Sequence, residues 1–98
     1  MEITYDELKR TLNREKHGFD FSDFADCFDA NSAVFSETAP SRIGRERYRV
    51  VGVWSDGRIV TAILSPLGSE AWALVSLRTA SDRERHTYAQ HNPTEGEL

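Results

Sequence analysis

The chain is 98 residues long, with a formal net charge of −4 and a mean hydropathy of −0.54, which is the size of one small domain with a single modest core of two packed layers. Its longest apolar runs, RIVTAIL and AWALVSL, fall far short of the ~20 residues of a membrane helix, and the opening MEITYDELKR lacks the apolar centre of a secretion signal, so a cytoplasmic location is expected. The single cysteine, Cys27, excludes an internal disulfide, and its place between Phe24 and Phe28 with no cation nearby marks a small buried hydrophobe rather than a nucleophile.

A short opening strand leads to Asp6, a good N-cap. Leu8 and Leu12 then lie one turn apart, and Lys16-His17-Gly18 places cations before a glycine, which predicts a helix over 6–17. Asp20 starts a second helix in which Phe21, Phe24, Ala25 and Phe28 share one face and should meet the core. Its acids, Asp20, Asp23, Asp26 and Asp29, lie off that stripe, as a solvated face or as a docking face for a basic partner.

From position 33 the pattern turns to strands. AVFS is a weak one; RYRVVGVW and RIVTAILS flank Asp56-Gly57, a two-residue hairpin signal. PLGS turns the chain into EAWALVSLR, apolar on both parities as an inner strand should be. Ser81 and Glu84 form a capping box that predicts a helix over 82–90, with a thin apolar stripe of Tyr88 and Ala89. Residues 91–98, HNPTEGEL, read as a disordered tail behind a single domain of residues 1–90. The expected fold is α+β: an N-terminal helix pair packed on a small antiparallel sheet of about four strands, the opening strand a candidate fifth, with a C-terminal helix.

Charge is distributed unevenly. Residues 1–40 carry four cations and nine acids, whereas residues 41–88 carry eight cations, all arginine, and five acids. Such asymmetry points to a polyanionic ligand at one end of the molecule. Arg45, Arg47 and Arg49 share one strand parity, so they belong to one sheet face, either as an edge strand guarded by charge or as an anion-binding row. Arg78 closes a strand beside a helix start, where it makes an anion site with the helix N-terminus or pairs with Glu84 or Asp82. Histidines 86 and 91 are five apart and cannot pinch one metal ion from a single helix face, and neither a phosphate loop nor a nucleophile elbow is present. No metal or cofactor is expected.

The segments YDELKRTLNREKHGFDF, GRERYRVVG and PLGSEAWALVSLRTASDRERHTYA occur in the order and spacing of the BrnT family of type II toxins, which the chain resembles over positions 3 to 90. The resemblance implies a small ribonuclease of reduced RelE-type fold, neutralised by a BrnA-like antitoxin. The antitoxin's ribbon-helix-helix part would make contact with DNA only indirect. The family's Lys-His-Gly falls on Lys16, His17 and Gly18, its Glu-Arg pairs on Glu46-Arg47 and Glu84-Arg85, and its Ser-x-Arg on Ser76 and Arg78. Two positions depart from the pattern: Tyr5 replaces a common tryptophan, and Ala73 replaces a frequent arginine, which removes one phosphate contact.

Metal-free RNA cleavage needs a base for the 2′-hydroxyl, an acid for the departing 5′-oxygen and cations around the phosphorane. On the resemblance, His17 is the candidate shuttle, with Glu84 or Glu46 as alternative bases, and Arg78 and Arg85 stabilise charge. Lys16, Arg47, Arg49 and Arg83 would hold flanking phosphates, and Tyr88 would stack on a base. Structural roles compete at two of these positions, helix closure for His17 and anchoring of the last helix for Tyr88. The competing functional class is a non-catalytic nucleic-acid or protein-binding module on the same fold.

Overall fold

The computed structural model describes residues 2–93. In chain order they form β1 (Glu2–Thr4), α1 (Glu7–His17), a 3-10 turn (Phe21–Asp23) running into the single-turn α2 (Phe24–Cys27), β2 (Val34–Thr38), β3 (Arg47–Val53), β4 (Ile59–Leu67), β5 (Ala71–Thr79) and α3 (Asp82–His91). The five strands make one sheet in the order β1-β5-β4-β3-β2. β1 joins it parallel to β5, and the other neighbours are antiparallel.

Helix α1 has the ends its sequence dictates. Asp6 is extended and its carboxylate accepts the Lys9 N–H at 3.0 Å; Gly18 is left-handed at φ 79° and its N–H reaches the Arg14 carbonyl. The second helix is much shorter than expected. Asp20 caps a 3-10 turn, and after α2 the chain is extended at Phe28, which bridges to Trp54 while the Asp29 N–H bonds to the Val53 carbonyl. Burying three phenylalanines and joining the sheet outweighs propagation of a helix rich in aspartate, a weak helix former. Phe21, Phe24 and Phe28 are buried as expected, but Ala25 is exposed. Of the acids, Asp20 is no free solvated charge: it binds Arg10 and Arg14, which ties α1 to the turn, and the Arg10 guanidinium, then the Ser22 N–H, hold its carboxyl far below the usual carboxylate range.

The phenylalanines meet one face of the sheet. Val50, Val60, Ala62, Leu64, Leu74 and Leu77 line it, with Phe19 and Trp54 edge-on to each other and Cys27 half-buried at the margin. Leu74 and Leu77 share this face although they are three apart, because Val75 is an extra residue: the register passes from Ile63↔Ser76 to Leu64↔Leu74. That bulge accounts for the mixed parity of β5. Gly52 allows the close approach of Phe28, whose ring would lie 2.6 Å from an added Cβ. The β3–β4 turn has three residues, not two: the Trp54 N–H bonds to the Arg58 carbonyl, and Gly57 alone has positive φ, which rules out the type I′ turn that Asp-Gly suggests.

Helix α1 lies against the edge of β5, and its buried contact is polar. The Asn13 amide donates to the Leu77 carbonyl at 2.8 Å and accepts the Leu77 N–H at 3.1 Å, standing in for a strand beyond the end of β1. Its two leucines face outward, Leu8 67% and Leu12 55% exposed. Strand β3 lies between β2 and β4, so the edge-strand explanation of its arginines does not hold. At the C-terminal end, Ser81 and Glu84 complete the capping box, His91 extends α3 one residue past its expected end, and the Asn92 amide bonds to the Ser32 carbonyl at 3.0 Å. The expected tail therefore does not begin at 91; residues 94–98 lie outside the described residues.

Candidate nucleic-acid groove

Side-chain alternation puts Arg47, Arg49, Thr61, Ser65, Ala73, Ser76 and Arg78 on the sheet face away from the phenylalanines. Arg45 precedes β3 and belongs to the loop instead. Helix α3 covers the half of this face near Thr61, through one carboxylate. Glu84 is 8% exposed; it receives two bonds from Arg78 at 2.8 and 3.0 Å, one from Thr61 at 2.9 Å and one from the Ser81 N–H at 2.8 Å, with the Arg49 Nε at 3.3 Å. These partners, Arg78 foremost, lower the Glu84 pKa to about 2. The anion site expected between Arg78 and the α3 N-terminus is thus already filled by the chain's own carboxylate.

The other half of the face is open. Between α1 and the sheet runs a groove of about 310 Å³ lined by Lys9, Leu12, Asn13, Lys16, His17, Arg47, Val75 and Ser76. It continues, through the shared Lys9, Arg47 and Val75, into a wider hollow of about 570 Å³ bounded by Tyr5, Asp6, Arg42, Ile43, Arg45, Ser65 and Ala73. Six of the twelve lysines and arginines have no acidic partner among the described residues: Lys9, Lys16, Arg42, Arg45, Arg47 and Arg83. All but Arg83 line these two hollows. The paired arginines build the frame, and the unpaired cations face one continuous groove.

His17 ends α1 and is half-buried in that groove. Burial, then the charges of Lys16 and Arg78, hold its pKa below the ordinary histidine value, so the ring is neutral at pH 7 and able to accept a proton. It therefore closes the helix and lines the groove at once. Lys16 and Arg47 are its neighbours there, and Arg78 stands near enough for its charge to act on the ring.

Other expected site residues lie elsewhere. Arg85 is bound to the Ala80 carbonyl and to Asp82 and lines neither hollow. Glu84, low in pKa and fully bonded, is a counter-ion and not a proton acceptor. Arg49 shares that carboxylate. Arg83 is exposed on α3. The Tyr88 hydroxyl is 3.0 Å from the Ser32 hydroxyl, which makes Tyr88 the anchor of α3 on the segment before β2. Glu46 stands at the mouth of β3, where its carbonyl accepts the Ser65 hydroxyl at 2.7 Å.

Lys9 and Arg42 carry no motif, and Arg45, expected in the strand row with Arg47 and Arg49, reaches the groove from the loop before β3. Lys9 was findable, since it lies seven residues before Lys16 and hence on the same side of α1. Arg42 and Arg45 come from a loop whose placement no local signal gives. They line the same hollow as Ala73. Among the described residues, no group of three histidine, cysteine or acidic side chains is placed to hold a metal ion, and no helix is long and apolar enough to cross a membrane.

The family described as ribonuclease toxin, BrnT, of type II toxin-antitoxin systems matches residues 5–84. The crystal structure of the Brucella abortus ribonuclease toxin, BrnT, superposes with a TM-score of 0.68 at 36% sequence identity, over 84% of this chain and 99% of that one. No curated protein matches the chain.

Proposed function

The chain belongs to the BrnT family of ribonuclease toxins of type II toxin-antitoxin systems, and on that premise we propose that it cuts RNA by metal-independent attack of a 2′-hydroxyl in the groove between α1 and the open half of the sheet. His17 takes the 2′-hydroxyl proton. The 2′-oxygen bonds to phosphorus and the bond to the 5′-oxygen breaks, leaving a 2′,3′-cyclic phosphate and a 5′-hydroxyl that Lys16 protonates. Arg47 faces the charge that builds on the phosphorane, while Arg78 stays bonded to Glu84 and holds α3 against the sheet. Arg49 acts through the same carboxylate.

The observation that carries this reading is the meeting of a neutral histidine with Lys16 and Arg47, neither cation engaged by an acid, in one groove. A BrnA-like antitoxin in the cytoplasm would silence the enzyme by covering this groove, and DNA would be touched only through the antitoxin. Labelled RNA incubated with the protein in a metal chelator tests the chemistry. Products ending in cyclic phosphate, absent with His17→Ala, are expected; cleavage that needs an added divalent ion would contradict the proposal.

A further inference from the structure

We propose that the wide end of the groove, under the loop from Ser41 to Arg45, is a subsite for a neighbouring nucleotide of single-stranded RNA, its phosphate held by Arg42 and Arg45 and its base resting over Ala73. The inference rests on the groove's being the RNA site. It extends that site beyond the residues that perform the chemistry.

Four features of this hollow point the same way. At about 570 Å³ it is the larger of the two, and it opens directly from the part that holds His17. Lys9, Arg42, Arg45 and Arg47 line it against one acid, Asp6, whose carboxylate already accepts the Lys9 N–H. Its floor at Ala73, on the face away from the phenylalanines, carries a single methyl. Finally, the loop that bears the two arginines is closed on itself: the Gly44 N–H bonds to the Ser41 carbonyl at 2.9 Å, the Arg45 carbonyl accepts the Ser41 N–H at 3.0 Å, and the Ser41 hydroxyl accepts the Arg45 N–H at 3.0 Å. Gly44, at φ 80°, makes that turn possible.

Unpaired guanidinium groups beside a shallow floor with an apolar rim suit a backbone phosphate with an unstacked base. A duplex keeps its bases inside and offers nothing to that floor. Ile43, 83% exposed at the rim, gives an apolar edge for a sugar or base to lie against.

Fluorescein-labelled 2′-O-methyl oligonucleotides, which cannot be cleaved, separate this proposal from the cleavage chemistry. Anisotropy is measured for a dinucleotide and a hexanucleotide, single-stranded and paired, with wild type, Arg42→Ala/Arg45→Ala and Ala73→Leu. For the double variant, hexanucleotide binding is expected to weaken about 10-fold and the slope of log affinity against log salt to shrink by about 0.7, with dinucleotide binding unchanged. Ala73→Leu should weaken the hexanucleotide about 10-fold with the salt slope retained. If Ala73→Leu fails to fold, the exposed-loop double variant still decides. Wild-type hexanucleotide affinity in the double variant, equal binding of the duplex, or loss of antitoxin binding with RNA binding intact would each overturn the subsite. Cleavage assays on the same proteins report separately on the 2′-hydroxyl mechanism.

Discussion

The two halves of one sheet face carry the same residue type to opposite ends. Under α3, Arg78 is bonded twice to Glu84 and Arg49 lies beside the same carboxylate as an ion pair, so both serve to hold helix to sheet. Beside α1, Arg47 stands on the same strand as Arg49, two residues away, and is paired with no acid among the described residues. What separates frame from site is whether a carboxylate is present in space. An arginine already bonded to a buried acid has little charge left for a ligand, whereas unpaired cations in a groove raise the local potential and select a polyanion.

The comparison can be broken most severely on the open side. His17→Ala is expected to lower cleavage about 1000-fold while leaving the urea midpoint close to wild type, since the groove, not the core, loses a group. A variant that unfolded instead would move His17 to the frame. On the covered side, Glu84→Ala strips the partner from two arginines and leaves the Thr61 hydroxyl unpaired, so it should cost about 3 kcal/mol in urea denaturation. Asn13→Ala leaves the Leu77 N–H and carbonyl without partners and should cost about 2 kcal/mol, measured the same way.

Two pH dependences sharpen the contrast. The Glu84 pKa falls from 4.5 to about 2 on folding, so its contribution to stability is complete above pH 4.5 and is lost as the pH drops from there toward 2. Unfolding midpoints at pH 5.5 and pH 3 should differ in wild type, and less so in Glu84→Gln. Because His17 must be neutral to accept a proton and its pKa lies below 6.5, log kcat/KM should climb with unit slope at acid pH and level off before neutrality. A limb centred well above 6.5 would mean that another group is the base.

Much of this frame was legible because its signals are local. The Asp6 cap, the Gly18 stop, the Ser81-Glu84 box and the strand runs are each written within a few residues. What failed was non-local. The second helix was curtailed by a bridge to Trp54, and β1 found β5 almost seventy residues away. The bulge at Val75 put Leu74 and Leu77 on one face against the simple alternation of a strand. The site was half legible for the same reason. His17, Lys16 and Arg47 came from short motifs and do meet, but nothing near Arg85 in sequence distinguishes it from Arg47. Arg42 and Arg45 enter the groove through a loop closure that only three dimensions reveal.

The most direct test of the division between frame and site is a side-by-side measurement of RNA cleavage by Arg47→Ala and Arg85→Ala. The account predicts a fall of about 100-fold for Arg47→Ala and a rate near wild type for Arg85→Ala, because only the first guanidinium lines the groove. The reverse order, with Arg85→Ala inactive and Arg47→Ala active, would contradict it.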